Sequence, residues 1–151
     1  MAPRPSSDRI LSGSRILVVE DEVLIAFDLR ASLRDAGAKS VRVAHTVADA
    51  LVLARTAELS SAVLDVRIGH EGAGPVAEVL RRRAIPFLFY SGQPPSDPVR
   101  QAWPDAPALA KPTGGRSLTV AIARLEMEYP ANGQTVAKSR ADGPGPAGAP
   151  R

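Results

Sequence analysis

The segment at residues 15–22, RILVVEDE, decides the fold and points to a site. Its apolar residues, Ile16 to Val19, predict a strand that is buried on both faces. The three residues that follow are all acidic. Such a strand has no need of carboxylates at its end, because desolvating a charge is costly unless something compensates it. The segment therefore predicts a buried strand that ends at a site using negative charge.

Short apolar runs alternate with helical patterns along the chain after this segment. One helical stripe runs through Ile25, Leu29 and Leu33, and Thr46 with Asp49 resembles a capping box. Strands that alternate with helices predict βαβ units on a parallel sheet. Further strands are predicted at residues 41–44, 62–64, 86–90 and 108–110, and helices at residues 22–36, from 47, from 75 and around 118–125.

The stretch at residues 93–107 interrupts this alternation, because it contains five prolines. Only residues 97–103 leave room for a helix, with Pro98 in the first turn, where proline is tolerated. The fourth helix is therefore predicted to be short or replaced by a loop.

Composition bounds the class of protein. The chain has 151 residues, of which 44% are hydrophobic, and it suits one domain with a sizeable core. It has no cysteine, which excludes disulfides, thiol catalysis and a cysteine-based zinc site. No apolar run approaches the roughly 20 residues of a membrane span, and the N-terminus lacks a signal-peptide pattern. We expect a cytoplasmic protein without a membrane contact.

The net charge of +3 is confined to the ends of the chain. Residues 1–13 and 131–151 hold the whole excess, so residues 14–130 are neutral overall. The basic cluster Arg81 to Arg83 fits a solvated helix C-terminus better than a nucleic-acid site. We therefore expect no direct nucleic-acid partner. The organisation predicted is a flexible segment 1–13, a domain at 14–130, and a disordered Gly/Pro/Ala-rich tail at 131–151.

Polar residues stand where the predicted strands end. Glu20 and Asp21 end the first strand, Asp65 the third, Ser91 the fourth and Lys111 the fifth. In open α/β sheets the carboxyl ends of the strands line the ligand crevice, so these side chains are expected to converge. Three close carboxylates repel one another unless a cation intervenes. Oxygen ligands without histidine or cysteine point to Mg²⁺.

The same set contains a nucleophile. A carboxylate can attack phosphorus and form an aspartyl-phosphate, and Asp65 is the natural acceptor. Lys111 would supply positive charge and Ser91 a hydroxyl donor for the phosphoryl oxygens. Plainer roles remain open beside these, since Asp65 could cap a loop and Ser91 could serve a turn.

Four motifs in order, LVVEDE, AVLDV, FYSG and AKP, resemble those of a response-regulator receiver domain of two-component signalling. The resemblance covers residues 14–130 and implies a doubly wound, five-stranded, flavodoxin-like (βα)5 fold. It also implies that Asp21 and Asp65 bind Mg²⁺ directly, that Glu20 acts through water, and that Arg67 offers its backbone carbonyl. It further implies a cis bond between Lys111 and Pro112.

The resemblance implies partners as well. A sensor histidine kinase would phosphorylate Asp65, and a downstream protein would bind the phosphorylated form. The stretch from Val63 to Gly92 further resembles stand-alone receivers common in alphaproteobacteria and often paired with HWE-type kinases. We accordingly expect a single-domain regulator, neither an enzyme in its own right nor fused to an output domain. The sequence leaves open whether it forms a homodimer.

One departure concerns how the signal would travel. The position three before the lysine is usually aromatic in receivers and is Ala108 here, so Tyr90 or Trp103 would have to substitute.

Two other functions stay open. The first is a receiver-fold binding module that acts without phosphorylation. The second is a phosphatase of the haloacid-dehalogenase kind, which would need an acid where Arg67 stands.

Overall fold

A parallel β-sheet flanked by helices forms the centre of the computed structural model, which describes residues 9–131. In chain order the strands are β1 (Arg15–Val19), β2 (Ser40–Ala44), β3 (Ser61–Leu64), β4 (Arg67–Ile68), β5 (Glu71–Gly72), β6 (Phe87–Ser91) and β7 (Ala108–Ala110). The helices are α1 (Val23–Asp35), α2 (Val47–Thr56), α3 (Gly74–Arg82), α4 (Pro98–Ala102) and α5 (Gly115–Glu128).

Five of these strands form the sheet in the order β2-β1-β3-β6-β7, and all four pairings are parallel. Counting only the sheet strands, this is the order 2-1-3-4-5 of flavodoxin-like folds. The predicted fold class is therefore confirmed. The order reverses beside β1, which places the end of β1 at the topological switch point where such sheets bind ligands.

Alternating side chains of β1 feed two separate hydrophobic clusters. Leu17 and Val19 pack on the side covered by α2 and α3, whereas Ile16 and Val18 pack on the side covered by α1 and α5. All four side chains are at most 1% exposed. Burial on both faces explains why this strand is a continuous apolar run and not an alternating one.

The predicted helix ends agree with the structure. Thr46 caps α2, because its hydroxyl accepts a hydrogen bond of 3.1 Å from the backbone N–H of Asp49. Gly37 follows α1 with φ of +102°, the left-handed conformation that favours glycine after a helix.

The strand predicted at 86–90 instead spans Phe87–Ser91, since the proline at 86 has no N–H for a ladder.

Two features lie between the large elements. β4 and β5 form an antiparallel hairpin at residues 67–72, which was absent from the sequence prediction. Strands of two residues are too short to show a period in sequence, so the omission has a simple reason. Helix α4 has only five residues, as the proline-rich stretch predicted.

The segments at the two ends of the chain are described only in part. Within the predicted segment 1–13, Leu11 is 1% exposed and its N–H donates to the carbonyl of Ala36 at 2.9 Å, so residues 9–13 pack against the domain. Residues 1–8 and 132–151 lie outside the described residues. Among the helices of residues 9–131, none is both long enough and apolar enough to cross a membrane.

Candidate functional site

The acidic residues meet at the carboxyl end of the sheet. The N–H of Glu20 donates to the carbonyl of Ala44, and the N–H of Asp65 donates to the carbonyl of Val19, both at 3.0 Å. The hydrogen-bond ladder thus extends one residue beyond β1 and β3, and it holds Glu20 and Asp65 side by side. One carboxylate oxygen from each of Glu20, Asp21 and Asp65 lies within 4.8 Å of the other two. The predicted convergence of these three residues is what the structure shows.

Lys111 follows β7 and reaches across the sheet end to two of these acids. Its Nζ lies 2.7 Å from Oε1 of Glu20 and 2.9 Å from Oδ2 of Asp65. Glu20 is completely buried and Asp65 is 8% exposed. A buried carboxylate requires a charged partner, and the ammonium group supplies one for both.

The electrostatics of this group follow from burial and contact. Burial, aided by the charge of Asp65, raises the pKa of Glu20 to about 7, although Lys111 and the N–H of Glu22 oppose the rise. Burial would lower the pKa of Lys111, but Glu20 and Asp65 together outweigh that effect and raise it. The lysine is therefore a permanent cation in the site at neutral pH.

Asp21 fixes the loop that follows the predicted phosphoacceptor. Its Oδ2 accepts a hydrogen bond of 2.8 Å from the N–H of Gly69. Gly69 has φ of +66°, a conformation that a glycine adopts without strain. The side chain of Asp21 is half-buried and lies on the solvent side of the site, whereas Glu20 lies at its buried end.

Ser91 stands at the end of β6, beside Lys111. The N–H of Lys111 donates to the carbonyl of Ser91 at 3.2 Å, which keeps the two residues adjacent. The hydroxyl oxygen of Ser91 accepts a hydrogen bond of 2.9 Å from the N–H of Gln93. A hydroxyl that accepts in this way still has its own proton to donate. Ser91 can therefore stabilise the turn at Gln93 and still act as the predicted hydroxyl donor.

Arg67 is placed differently from the acids. Its guanidinium turns away to Asp97, where Nε donates to Oδ2 at 3.1 Å and Nη2 donates to Oδ1 at 3.0 Å. The role predicted for Arg67 concerns its backbone carbonyl, and that role stays a prediction. The side chain has a partner that the sequence analysis did not identify.

Two further residues contact residues of the site. Nδ1 of His45 lies 2.9 Å from the carbonyl oxygen of Glu20, and Asp97 pairs with Arg67. The sequence held one usable signal, since an aspartate directly before the helix-starting Pro98 is typical of an N-cap. No sequence pattern joins Asp97 to a residue 30 positions earlier.

The two aromatic residues considered as substitutes for Ala108 are both packed. The hydroxyl of Tyr90 accepts from the N–H of Thr113 at 3.1 Å and donates to its carbonyl at 3.3 Å. Trp103 lies edge-on to Phe87, with ring centroids 5.7 Å apart. Lys111 is followed by a cis peptide bond to Pro112, as the resemblance implied.

The donor set suits a hard divalent cation. Glu20, Asp21 and Asp65 offer only oxygen atoms as ligands. Within residues 9–131 they form the group of acidic and histidine side chains that lie close enough together to hold a metal ion. Mg²⁺ prefers oxygen ligands and retains several waters, so a half-open acidic site fits its chemistry.

Comparisons with known proteins agree with this fold. No protein-family model matches the chain. It is 38% identical to SdrG from Sphingomonas melonis Fr1, with a TM-score of 0.62 over 75% of this chain and 96% of SdrG. It is 27% identical to a response regulator receiver protein from Sinorhizobium medicae, with a TM-score of 0.65 over 76% and 95% of the two chains.

A curated relative is the phyllosphere-induced regulator PhyR of Methylorubrum extorquens, which is 31% identical over 85 residues. These residues are 54% of this chain and 32% of PhyR, so the match spans about a third of that regulator. With the sheet order and the strand-end acids, these likenesses show that the chain belongs to the response-regulator receiver domains of two-component signalling.

Proposed function

We propose that this receiver accepts a phosphoryl group on Asp65 from a phosphohistidine of a sensor histidine kinase. One observation supports this most strongly. The ammonium group of Lys111 bridges Asp65 and the fully buried Glu20, with Asp21 beside them. A carboxylate beside a fixed cation at the switch point of the sheet supports the proposal, because it provides the nucleophile and the positive charge that the transfer needs.

The transfer follows from the groups present. One carboxylate oxygen of Asp65 attacks phosphorus, the P–N bond to the imidazole breaks, and its electron pair stays on the imidazole nitrogen. Lys111 is already within 2.9 Å of Asp65, so it can follow the negative charge onto the phosphoryl oxygens. Ser91 would donate its hydroxyl proton to another of these oxygens.

Mg²⁺ is the cofactor that the donor set fits. Glu20, Asp21 and Asp65, with the backbone carbonyl of Arg67, would hold it, with Glu20 acting through water. A bound Mg²⁺ neutralises charge on the transferring phosphoryl group. The chain's own contribution is to hold the three acidic side chains close together, with the ammonium group of Lys111 compensating the burial of Glu20 and Asp65.

The phosphorylated domain would act through protein contacts or drain phosphate from its kinase. The kinase is proposed to be of the HWE type, on the resemblance of residues 63–92 to stand-alone receivers. Beyond forming and losing its own aspartyl-phosphate, the domain is proposed to have no enzymatic activity. Arg67 lies where a phosphatase of the haloacid-dehalogenase kind would need an acid.

Intact-mass spectrometry tests this function directly. The purified chain is incubated with acetyl phosphate and Mg²⁺ beside an Asp65→Asn variant and beside a sample containing a chelator. We expect one added phosphoryl group in the wild type alone. An unmodified wild type that also fails to bind beryllofluoride would refute the proposal and favour a binding module that works without phosphorylation.

A further inference from the structure

His45 holds the backbone at the end of β1 from the neighbouring strand. It directly follows β2, which pairs with β1. The carbonyl of Ala44 accepts from the N–H of Glu20 at 3.0 Å, and Nδ1 of His45 lies 2.9 Å from the carbonyl oxygen of Glu20. A carbonyl oxygen only accepts, so Nδ1 carries a hydrogen and donates it. Two consecutive residues thus bind both backbone polar groups of Glu20.

The carbonyl of Glu20 belongs to the peptide group that joins the two neighbouring acids of the site. A peptide group is planar, and its plane contains the Cα atoms of both residues that it joins. Fixing the carbonyl therefore also constrains the direction in which the chain reaches Asp21. The hydrogen bond from His45 limits where the side chain of Asp21 can start relative to that of Glu20.

Other contacts hold the carboxylate groups themselves. The carboxylate of Glu20 accepts from the N–H of Glu22 at 3.1 Å, and that of Asp21 accepts from the N–H of Gly69 at 2.8 Å. These contacts act on the ends of the two side chains, whereas His45 acts on the backbone between them. Without His45 the peptide group would be free to rotate and to carry the carboxylate of Asp21 away from its neighbours.

The position of His45 separates an effect on metal binding from an effect on stability. His45 is exposed, so water can replace its hydrogen bond to the carbonyl when the ring is removed. Helix α2 does not depend on the ring, because the hydroxyl of Thr46 caps it. Metal affinity is more sensitive, since residues that orient the ligands affect it strongly without touching the metal.

We propose that His45 is a positioning residue of the metal site, whose hydrogen bond to Glu20 holds Asp21 where its carboxylate can bind a divalent cation. This role rests on the Mg²⁺ site of the proposed function. It adds to that site a residue that orients the acids without binding the metal.

Side chains of similar shape separate the hydrogen bond from the volume of the ring. His45→Asn can place an N–H where Nδ1 stands, because the amide nitrogen and Nδ1 are both bonded to Cγ. His45→Leu places a methyl group there, and His45→Ala is a second variant without a donor. Thr46→Ala removes the cap of α2 at the next residue, so it is the matched control for damage to this connection.

Mg²⁺ is titrated into each ¹⁵N-labelled full chain, and the amide signal of Gly69 reports binding because its N–H contacts Asp21. We expect His45→Leu and His45→Ala to raise the dissociation constant for Mg²⁺ about tenfold. His45→Asn and Thr46→Ala should stay near the wild-type value. Labelling of Asp65 by acetyl phosphate should slow in the two variants without a donor at low Mg²⁺ and recover when Mg²⁺ saturates the site.

Urea denaturation in the presence of chelator confirms that each variant is folded. Wild-type affinity for Mg²⁺ in both variants without a donor would overturn the positioning role and leave the proposed function standing. A loss of affinity that His45→Asn or Thr46→Ala shares in full would do the same. A wild type that binds no Mg²⁺ would overturn both the positioning role and the metal site of the proposed function.

Discussion

Nζ of Lys111 lies 2.7 Å from Oε1 of Glu20, a fully buried carboxylate that directly follows strand β1. Replacement of this lysine by methionine keeps much of the side-chain volume and removes the charge. We expect Lys111→Met to lower the free energy of unfolding by about 2 kcal/mol without divalent cations, since it leaves a buried carboxylate unpaired. Urea denaturation in the presence of chelator measures the loss.

Lys39→Met is the control for this change, because Lys39 is an exposed lysine at the other end of the sheet. It should alter stability by less than about 0.5 kcal/mol. The two variants also separate stability from chemistry, since only Lys111→Met should slow labelling of Asp65 by acetyl phosphate. Equal losses of stability in both variants would mean that the buried pair has no special role.

The contact between Gly72 and Val99 gives a second prediction. Gly72→Ala should destabilise the protein by about 1 kcal/mol, because the added methyl meets Cγ2 of Val99 at 2.9 Å. Val99→Ala should relieve that clash, so the two substitutions together should cost less than the sum of each alone. Urea denaturation of the two single variants and the double variant measures this coupling.

Gly114→Ala provides the comparison for Gly72→Ala. Apart from its chain neighbours, a Cβ on Gly114 meets no atom within 4 Å, and the φ of −61° and ψ of 152° at this residue suit alanine. Alanine there should change the free energy of unfolding by less than about 0.5 kcal/mol. If Val99→Ala proved as harmful in the Gly72→Ala variant as in the wild type, close packing of the hairpin on α4 would be ruled out.

The sequence predicted the site better than it predicted the connections around it. Glu20, Asp65, Ser91 and Lys111 could be placed because the residue after each parallel strand must lie at one edge of the sheet. The partnership of Arg67 with Asp97 could not, because it depends on a two-residue hairpin and a five-residue helix with no periodic pattern. Contacts between irregular segments are decided by tertiary packing, which a local pattern does not report.

The hydroxyl of Tyr90 supports the turn after the cis Lys111–Pro112 bond through two hydrogen bonds to Thr113. Tyr90→Phe should therefore lower the free energy of unfolding by about 1 kcal/mol, the usual net value for a lost hydrogen bond. Tyr129→Phe is the matched control, because that side chain is 59% exposed. Thermal and urea denaturation compare the two, and equal effects would show that the hydroxyl of Tyr90 does not stabilise the fold.

Glu126 gives the stability of this domain a dependence on pH that a single substitution should remove. Burial raises the pKa of this carboxyl, although the hydroxyls of Ser14 and Ser61 each donate to it at 2.6 Å and oppose the rise. Below the ordinary value of about 4.5, the carboxyl is protonated in both the folded and the unfolded chain. Its titration then favours neither state.

As the pH rises above about 4.5, the unfolded chain loses this proton before the folded chain does. The contribution of Glu126 to the free energy of unfolding of the wild type should therefore fall with rising pH until Glu126 also ionises in the folded state. Glu126→Gln has no proton to lose at this position. The stability of the variant minus that of the wild type should consequently increase with pH above about 4.5.

Urea denaturation of both proteins across this pH range measures the difference, and Glu20 titrates in both, so its contribution cancels. Glu128→Gln, an exposed glutamate of the same helix, controls for the loss of one negative charge from α5. A difference between Glu126→Gln and the wild type that stays constant with pH would show that the two serine hydroxyls stabilise the ionised carboxylate as well as water does. Burial would then have no net effect on its protonation.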